Sequence, residues 1–249
     1  MSLSLKSFSI FKRDILLLST NLATGILVAR TLGPSVLGIW MILTLVPSYA
    51  EAFGRLKVDV ASVYFIGQNK FHPQNILLSL NVIAIISSSL LLSLLLWQFE
   101  LLYTLLFNNS ESEFSSFLLV LFLQIPLQFL SLNYSYFHIA CENILVYNRI
   151  TIIQAWSYSI IVFSLLLFTD LKLWSIIIAV IVSITMGLVY GWYKVDRTSW
   201  SNASWSNSLS WEMIKYGLNF YLAGILGSLQ KMGVRAITLS FLAPAQIAF

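Results

Sequence analysis

Two positive charges lie one helical turn apart inside a long apolar stretch near the end of the sequence. Lys231 and Arg235 belong to a polar set that recurs at spacings of four and three residues, which places them on one helix face. Like charges so arranged repel each other, so a buried pair requires an anion or acidic partners. Phosphate suits both side chains, and we predict that they contact a phosphate-bearing ligand. In the alternative, the apolar span ends earlier and both side chains extend to the interface.

A second polar stripe follows the apolar segment Phe114–Phe137. Spacings of four and three place six residues on one helix face: Gln124, Gln128, Ser131, Ser135, His138 and Glu142. This face either forms interhelical hydrogen bonds in a packed bundle or lines a hydrophilic cavity. We predict that Gln124, Gln128 and His138 contact sugar or water in such a cavity. Pro126 is expected to kink the helix.

A third group combines both signs of charge. Glu51, Arg55 and Asp59 have the spacing of i, i+4 ion pairs. The sequence predicts gating or ion pairing here, and a solvated ladder of ion pairs is favoured over a proton relay.

Other chemistry has no matching pattern in the sequence. The two histidines are far apart, and the metalloprotease, P-loop and nucleophile-elbow motifs do not occur. A single cysteine, Cys141, allows no internal disulfide. We therefore expect neither an enzyme nor a metal site or cofactor.

The amino-acid composition indicates the environment in which these polar groups lie. Hydrophobic residues make up 58% of the 249 residues and charged residues 10%, with a mean hydropathy of +0.84. A soluble domain carries roughly a quarter charged residues, so the sequence indicates a membrane protein and excludes a secreted disulfide scaffold, a cytosolic enzyme and a disordered tail.

The apolar residues form continuous runs of the length that crosses a bilayer, about 20 residues each. We therefore predict an all-α integral membrane protein with about seven transmembrane helices. The predicted segments are Asp14–Leu32, Val36–Phe53, Gln74–Gln98, Phe114–Phe137, Ile150–Phe168, Leu173–Tyr193 and Met213–Leu242.

The distribution of Lys and Arg predicts the orientation. With the N-terminus in the cytoplasm, ten of these residues lie in inner segments and two, Arg30 and Lys172, in outer turns. This asymmetry follows the positive-inside rule.

An internal repeat suggests a second lobe. Residues 32–39 and 242–249 share Leu and Pro at an offset of 210 residues. The same offset aligns Asn21 with Lys231, so both residues are predicted to line one central space. We expect a six-helix lobe at 1–195, a linker at 196–210 and the first helix of a second lobe at 211–249. The sequence would then be a truncated two-lobe transporter.

The stretch VARTLGP at 28–34, followed by GIW at 38–40, resembles the N-terminal signature of bacterial polysaccharide flippases. These are lipid-linked oligosaccharide exporters of the multidrug/oligosaccharidyl-lipid/polysaccharide superfamily. Residues 214–218 and 239–249 resemble the family's entry to and exit from span seven. In this signature Arg30, Gly33, Pro34 and Gly38 are structural residues.

The resemblance implies a flippase for undecaprenyl-diphosphate-linked oligosaccharide in the bacterial cytoplasmic membrane. It also implies alternating access between two lobes. The expected partners are the polyprenyl-diphosphate-linked glycan, membrane lipids and other polysaccharide-assembly membrane proteins, without nucleic acid. The alternatives are a drug/cation antiporter of the same superfamily and an inactive remnant or membrane scaffold.

Overall fold

The computed structural model describes residues 3–107, 114–195 and 203–241, although no side chain is described before residue 8, at residue 222 or after residue 227. The regular secondary structure within these ranges is entirely helical and contains no strand. The helices are α1 (Leu3–Leu43), α2 (Leu45–Gly54), α3 (Val58–Gly67), α4 (Pro73–Trp97), α5 (Phe99–Phe107), α6 (Phe114–Phe122), α7 (Gln124–Ala140), α8 (Ile144–Phe168), α9 (Leu173–Tyr193) and α10 (Asn207–Phe241).

Five helical runs among the described residues are long and apolar enough to cross a membrane. They are Phe8–Gly54, Pro73–Trp97, Phe114–Ala140, Ile144–Phe168 and Leu173–Tyr193. The chain is therefore an all-α membrane protein, as the composition predicts. The predicted span Met213–Leu242 lies within α10 up to Phe241, but its side chains after residue 227 are outside the described part, so the count of seven stays a prediction.

The first run is one helical stretch in which two spans were expected. As one straight helix its 47 residues would measure about 70 Å, more than twice the thickness of a bilayer core. The helical geometry is interrupted at Gly33 (φ 77°, ψ 169°), directly before Pro34. The interruption lies where the Leu-Gly-Pro stretch predicts that the first apolar helix ends. Arg30 is exposed before it and Gly38 is buried after it.

The fourth predicted segment is also interrupted. The helix ends at Phe122 and begins again at Gln124, four and two residues before Pro126 rather than at it. Proline cannot donate a backbone hydrogen bond, and its ring clashes with the carbonyl four residues earlier, which belongs to Phe122. The amide of Leu123 instead donates a hydrogen bond to the Val120 carbonyl oxygen at 3.1 Å. The predicted kink therefore occurs on the N-terminal side of the proline.

Two short helices, α3 and α5, were not expected from the sequence. With 10 and 9 residues, each is too short to span a membrane. A search for apolar runs of membrane-spanning length therefore does not detect them. Helix α3 follows α2 through Leu56 and Lys57, both in the left-handed region (φ 50° and 54°). Non-glycine residues adopt this conformation rarely, and here the two residues together form the corner between α2 and α3.

Two groups of buried apolar side chains hold the bundle together. One joins α1, α6, α8 and α9 around Leu118, Val162 and Ile176. The other joins α3, α4, α7 and the start of α10 around Ala61, Leu80 and Met213. Helix α10 thus packs against α3, α2 and α4, on the α2–α3 corner.

Candidate functional site

The α2–α3 corner contains a cluster of charges. Arg55, directly after α2, places Nη1 3.9 Å from Glu51 Oε1 and 3.8 Å from Asp59 Oδ2. Its guanidinium carbon lies 5.2 Å from the ring centre of Tyr136 on α7, a cation–π distance. The structure therefore brings together the three residues that their spacing predicts to pair.

This cluster is largely buried rather than solvated. The side chains of Arg55 and Asp59 are only 9% and 4% exposed, whereas that of Glu51 is 41% exposed. The expected solvated ladder is therefore wrong for the Arg55–Asp59 pair. Taking charges out of water is costly unless they are paired and hydrogen-bonded, so a buried pair at this position is unusual.

The pairing leaves hydrogen-bonding capacity at the centre of the cluster. At 3.8 to 3.9 Å the contacts are electrostatic but too long for hydrogen bonds. Among the described residues, Arg55 Nη2 and Asp59 Oδ1 have no hydrogen-bond partner. The guanidinium can therefore donate a bond to an anionic or hydroxyl oxygen, and the carboxylate can accept one from a donor or bind a cation.

Helix α10 covers the corner through its glycines and a tyrosine. A Cβ on Gly217 would lie 2.5 Å from the Leu56 carbonyl oxygen, and one on Gly224 would lie 2.5 Å from Lys57 Cε. The Tyr221 hydroxyl donates to the Phe53 carbonyl oxygen at 2.6 Å. The stem of Lys57 therefore lies directly against α10.

The predicted phosphate contacts belong to the same helix. Lys231 and Arg235 follow Gly224 by 7 and 11 residues, about 10 and 16 Å along an α-helix. Their backbones lie in α10, and their side chains are outside the described residues. Their role in binding stays a prediction.

The polar stripe of α7 makes hydrogen bonds to neighbouring helices. Gln154 Nε2 on α8 donates to Ser131 Oγ at 2.7 Å. His138 Nε2 lies 3.0 Å from the Gly191 carbonyl oxygen on α9, and because a carbonyl only accepts, this nitrogen carries the proton. Interhelical bonding thus accounts for Ser131 and His138, which are both buried.

The stripe also contains polar side-chain atoms that form no such interhelical hydrogen bond among the described residues. Gln128 is half-buried, and Gln124 Oε1 and His138 Nδ1 are buried without a hydrogen-bond partner in the described part of the chain. Contact of Gln124, Gln128 and His138 with sugar stays a prediction.

A second polar network joins α4 and α7, and it was missed in the sequence. Asn133 Nδ2 donates to the Leu80 carbonyl oxygen at 3.0 Å, and Asn81 Nδ2 donates to the Tyr134 hydroxyl at 3.2 Å. The available signal was the presence of Asn81 and Asn133 at mid-span, where amides are costly unless paired.

Asn21 is not part of the corner cluster. It is exposed on α1, next to Thr20, which lines a cavity of about 590 Å³ between α1 and α8. Across this cavity Thr24 Oγ1 donates to Ser159 Oγ at 2.7 Å. The predicted common space of Asn21 with Lys231 remains untested, because the Lys231 side chain is not described.

Among the described residues, no three His, Cys, Asp or Glu side chains cluster in a way that could hold a metal ion. No protein-family model, curated protein or solved structure matches the chain. The fold and composition define a multi-pass α-helical membrane protein, and the corner cluster is its candidate functional site.

Proposed function

We propose that the protein is a flippase that moves undecaprenyl-diphosphate-linked oligosaccharide across the bacterial cytoplasmic membrane for surface polysaccharide synthesis. The observation that carries this proposal is the buried guanidinium of Arg55 at an interrupted helix, whose Nη2 has no hydrogen-bond partner among the described residues. Buried charges within membrane bundles usually serve transport. The VARTLGP stretch supports the same family.

The chemistry of the substrate explains the need for such a site. A diphosphate cannot enter hydrocarbon alone, because an unpaired charge there costs many kcal/mol. A guanidinium that retains a free donor can replace part of the hydration of the phosphate. Lys57 adds a second positive charge at the corner, and the polyprenyl tail can stay in lipid throughout.

The interruptions in the helices suit alternating access. Transporters commonly place binding sites at broken helices and move one bundle against another around the site. Interruptions occur here at Gly33, at Leu56–Lys57 and at Leu123. We infer that the substrate reaches the corner when α10 moves away from it, with the N-terminus of the protein in the cytoplasm. Other membrane proteins of polysaccharide assembly are its proposed partners.

Reconstitution tests the proposal. The chain is placed in proteoliposomes with a fluorescent polyprenyl-diphosphate-linked saccharide, and the label accessible to a membrane-impermeant quencher is measured over time. We expect protein-dependent flipping that Arg55→Gln abolishes and Arg55→Lys partly retains. Lys172→Gln, which removes an exposed charge, is the matched control.

Two results would contradict this function. Equal flipping by wild type and Arg55→Gln would remove the corner from the mechanism. A folded wild-type chain without any flipping activity would favour the scaffold or inactive remnant.

A drug/cation antiporter is the second candidate, and the burial of Asp59 favours it. Such exchange needs an acidic group within the bundle, and Asp59 Oδ1 is buried without a hydrogen-bond partner in the described structure. The two functions are separated by cation-driven uptake of a fluorescent drug into the same vesicles. Uptake that is lost in Asp59→Asn, without saccharide flipping, would establish the antiporter.

A further inference from the structure

A polar cavity lies at the end of the bundle where α7 turns into α8. It measures about 510 Å³, and its lining includes the turn residues Glu142 and Asn143, Ser9 of α1, Arg149 of α8 and Lys194 directly after α9. Four parts of the chain thus meet around it. It is separate from the α2–α3 corner, none of whose residues lines it.

The charge of this cavity is positive. Arg149 and Lys194 contribute two cations and Glu142 one carboxylate. Both cations are exposed. Neither forms a salt bridge with a carboxylate of the described residues, whose ion pairs involve other side chains. An anion placed between Arg149 and Lys194 would gain charge-assisted hydrogen bonds.

A separate apolar groove lies along α8 and α9. It measures about 580 Å³ and is lined by Ile153 of α8 together with α9 side chains from Ile181 to Tyr193. Ile153 lies one turn after Arg149, on the same face of α8. On α9, the lining residues span 13 residues, a rise of about 18 Å.

Lys194 connects the two spaces. Its side chain lines the polar cavity, while Nζ lies 5.8 Å from the ring centre of Tyr190 and 5.3 Å from that of Tyr193. Both rings line the apolar groove. Aromatic side chains with polar ends favour the boundary between hydrocarbon and water, so the junction has the character of a membrane interface.

We propose that the cavity at Arg149 and Lys194 and the α8–α9 groove together bind one anionic phospholipid, with its headgroup phosphate between the two cations and one acyl chain in the groove. A phosphodiester supplies the acidic oxygens that Arg and Lys prefer, and the acyl chain supplies the apolar surface that fits the groove. This inference does not depend on the proposed flippase function.

Native mass spectrometry of the purified full chain tests the site. Phosphatidylglycerol and phosphatidylcholine with identical acyl chains are added in separate titrations. We expect tighter retention of phosphatidylglycerol, and a decrease in its affinity of about tenfold or more in Arg149→Gln/Lys194→Gln, because charge-assisted contacts are lost. Lys70→Gln/Lys172→Gln removes two exposed lysines outside the site and should retain wild-type affinity.

A second variant addresses the groove without changing any charge. Met186 lines the groove, and Met186→Trp should fill it and reduce the retention of both lipids. Ile178→Trp is the control, because Ile178 is also exposed on α9 but does not line the groove.

Three results would overturn the proposal. These are equal affinity for the two phospholipids, unchanged binding in both site variants, and displacement of phosphatidylglycerol by an equimolar polyprenyl phosphate. The last result would assign the site to the transport substrate. Saccharide flipping by Arg149→Gln/Lys194→Gln is also measured in the vesicle assay. Comparison of its flipping with its lipid binding distinguishes failure of the lipid site from failure of the proposed flippase function.

Discussion

The hydroxyl of Tyr221 on α10 donates a hydrogen bond of 2.6 Å to the backbone carbonyl oxygen of Phe53 in α2. The last carbonyls of a helix have no partner within the helix, and Tyr221 satisfies one of them near the point where the chain turns. This bond fixes α10 against the corner that carries Arg55. The position of α10 and the geometry of the charge cluster are therefore linked.

Removal of this hydroxyl should loosen α10. We expect Tyr221→Phe to lower the free energy of unfolding by about 1 kcal/mol, the usual contribution of one hydrogen bond. Thermal unfolding in detergent measures the change. Tyr49→Phe is the control. The Tyr49 ring stacks on Phe53, but its hydroxyl forms no hydrogen bond with the described residues. An equal loss in both variants would contradict the role of the bond.

Gly217 permits close contact between α10 and the corner. We expect Gly217→Ala to destabilise the protein by about 1–3 kcal/mol, because the new Cβ meets the Leu56 backbone, which cannot move freely. Gly224→Ala should cost less, since its Cβ meets the flexible side chain of Lys57. Gly227→Ala, with no atom within 4 Å of its Cβ, is the control. Thermal unfolding of the three variants should follow this order, and a neutral Gly217→Ala would show that the contact is absent.

The buried ion pair should show strong coupling between its partners. We expect Arg55→Met to destabilise the protein by about 3–5 kcal/mol, because it leaves the Asp59 carboxylate buried and uncompensated. In Arg55→Met/Asp59→Asn most of this loss should be recovered. A double-mutant cycle by chemical unfolding measures the coupling. Additive single effects would mean that the two charges do not interact.

The interruption of α1 depends on the positive φ of Gly33. We expect Gly33→Ala to cost about 1–2 kcal/mol, because an L-residue is strained in this region, and to straighten the chain before Pro34. Gly25→Ala, in ordinary helical backbone with open space around its Cβ, is the control and should be neutral or stabilising. Unfolding temperatures distinguish the two, and equal temperatures would contradict the strained geometry.

Cys141 should react slowly in the folded protein. Burial raises the pKa of its thiol to about 11, and only the thiolate attacks an alkylating reagent. Below pH 11 the thiolate fraction therefore rises about tenfold for each pH unit. Relative to the ordinary pKa of 9.0, we expect alkylation by iodoacetamide at pH 8 to be about a hundredfold slower in the native than in the unfolded chain. Mass spectrometry follows the reaction, and equal rates in both states would contradict the burial of the thiol.

Local sequence was sufficient to predict several features of this protein. The predicted segment Leu173–Tyr193 coincides with α9, and Gln74–Gln98 differs from α4 by one residue at each end, because the length and continuity of an apolar run are local properties. The interruption at Gly33 follows from the local Leu-Gly-Pro turn signal, and the pairing of Arg55 with Glu51 follows from their spacing of one helical turn. Arg55 and Asp59 have the same spacing, but they pair across the α2–α3 corner rather than along one helix.

Only the tertiary structure decided which groups are buried and which helices share hydrogen bonds. The Gln154–Ser131 and His138–Gly191 contacts join residues 23 and 53 positions apart, and helical periodicity does not specify the partner that a face meets. The same is true of α10, whose glycines allow it to pack on Leu56 and Lys57, and of α7, whose Tyr136 ring lies over the Arg55 guanidinium. Spacing identified the charges, but their burial arises from packing between helices distant in sequence, and the burial is what makes them a candidate site.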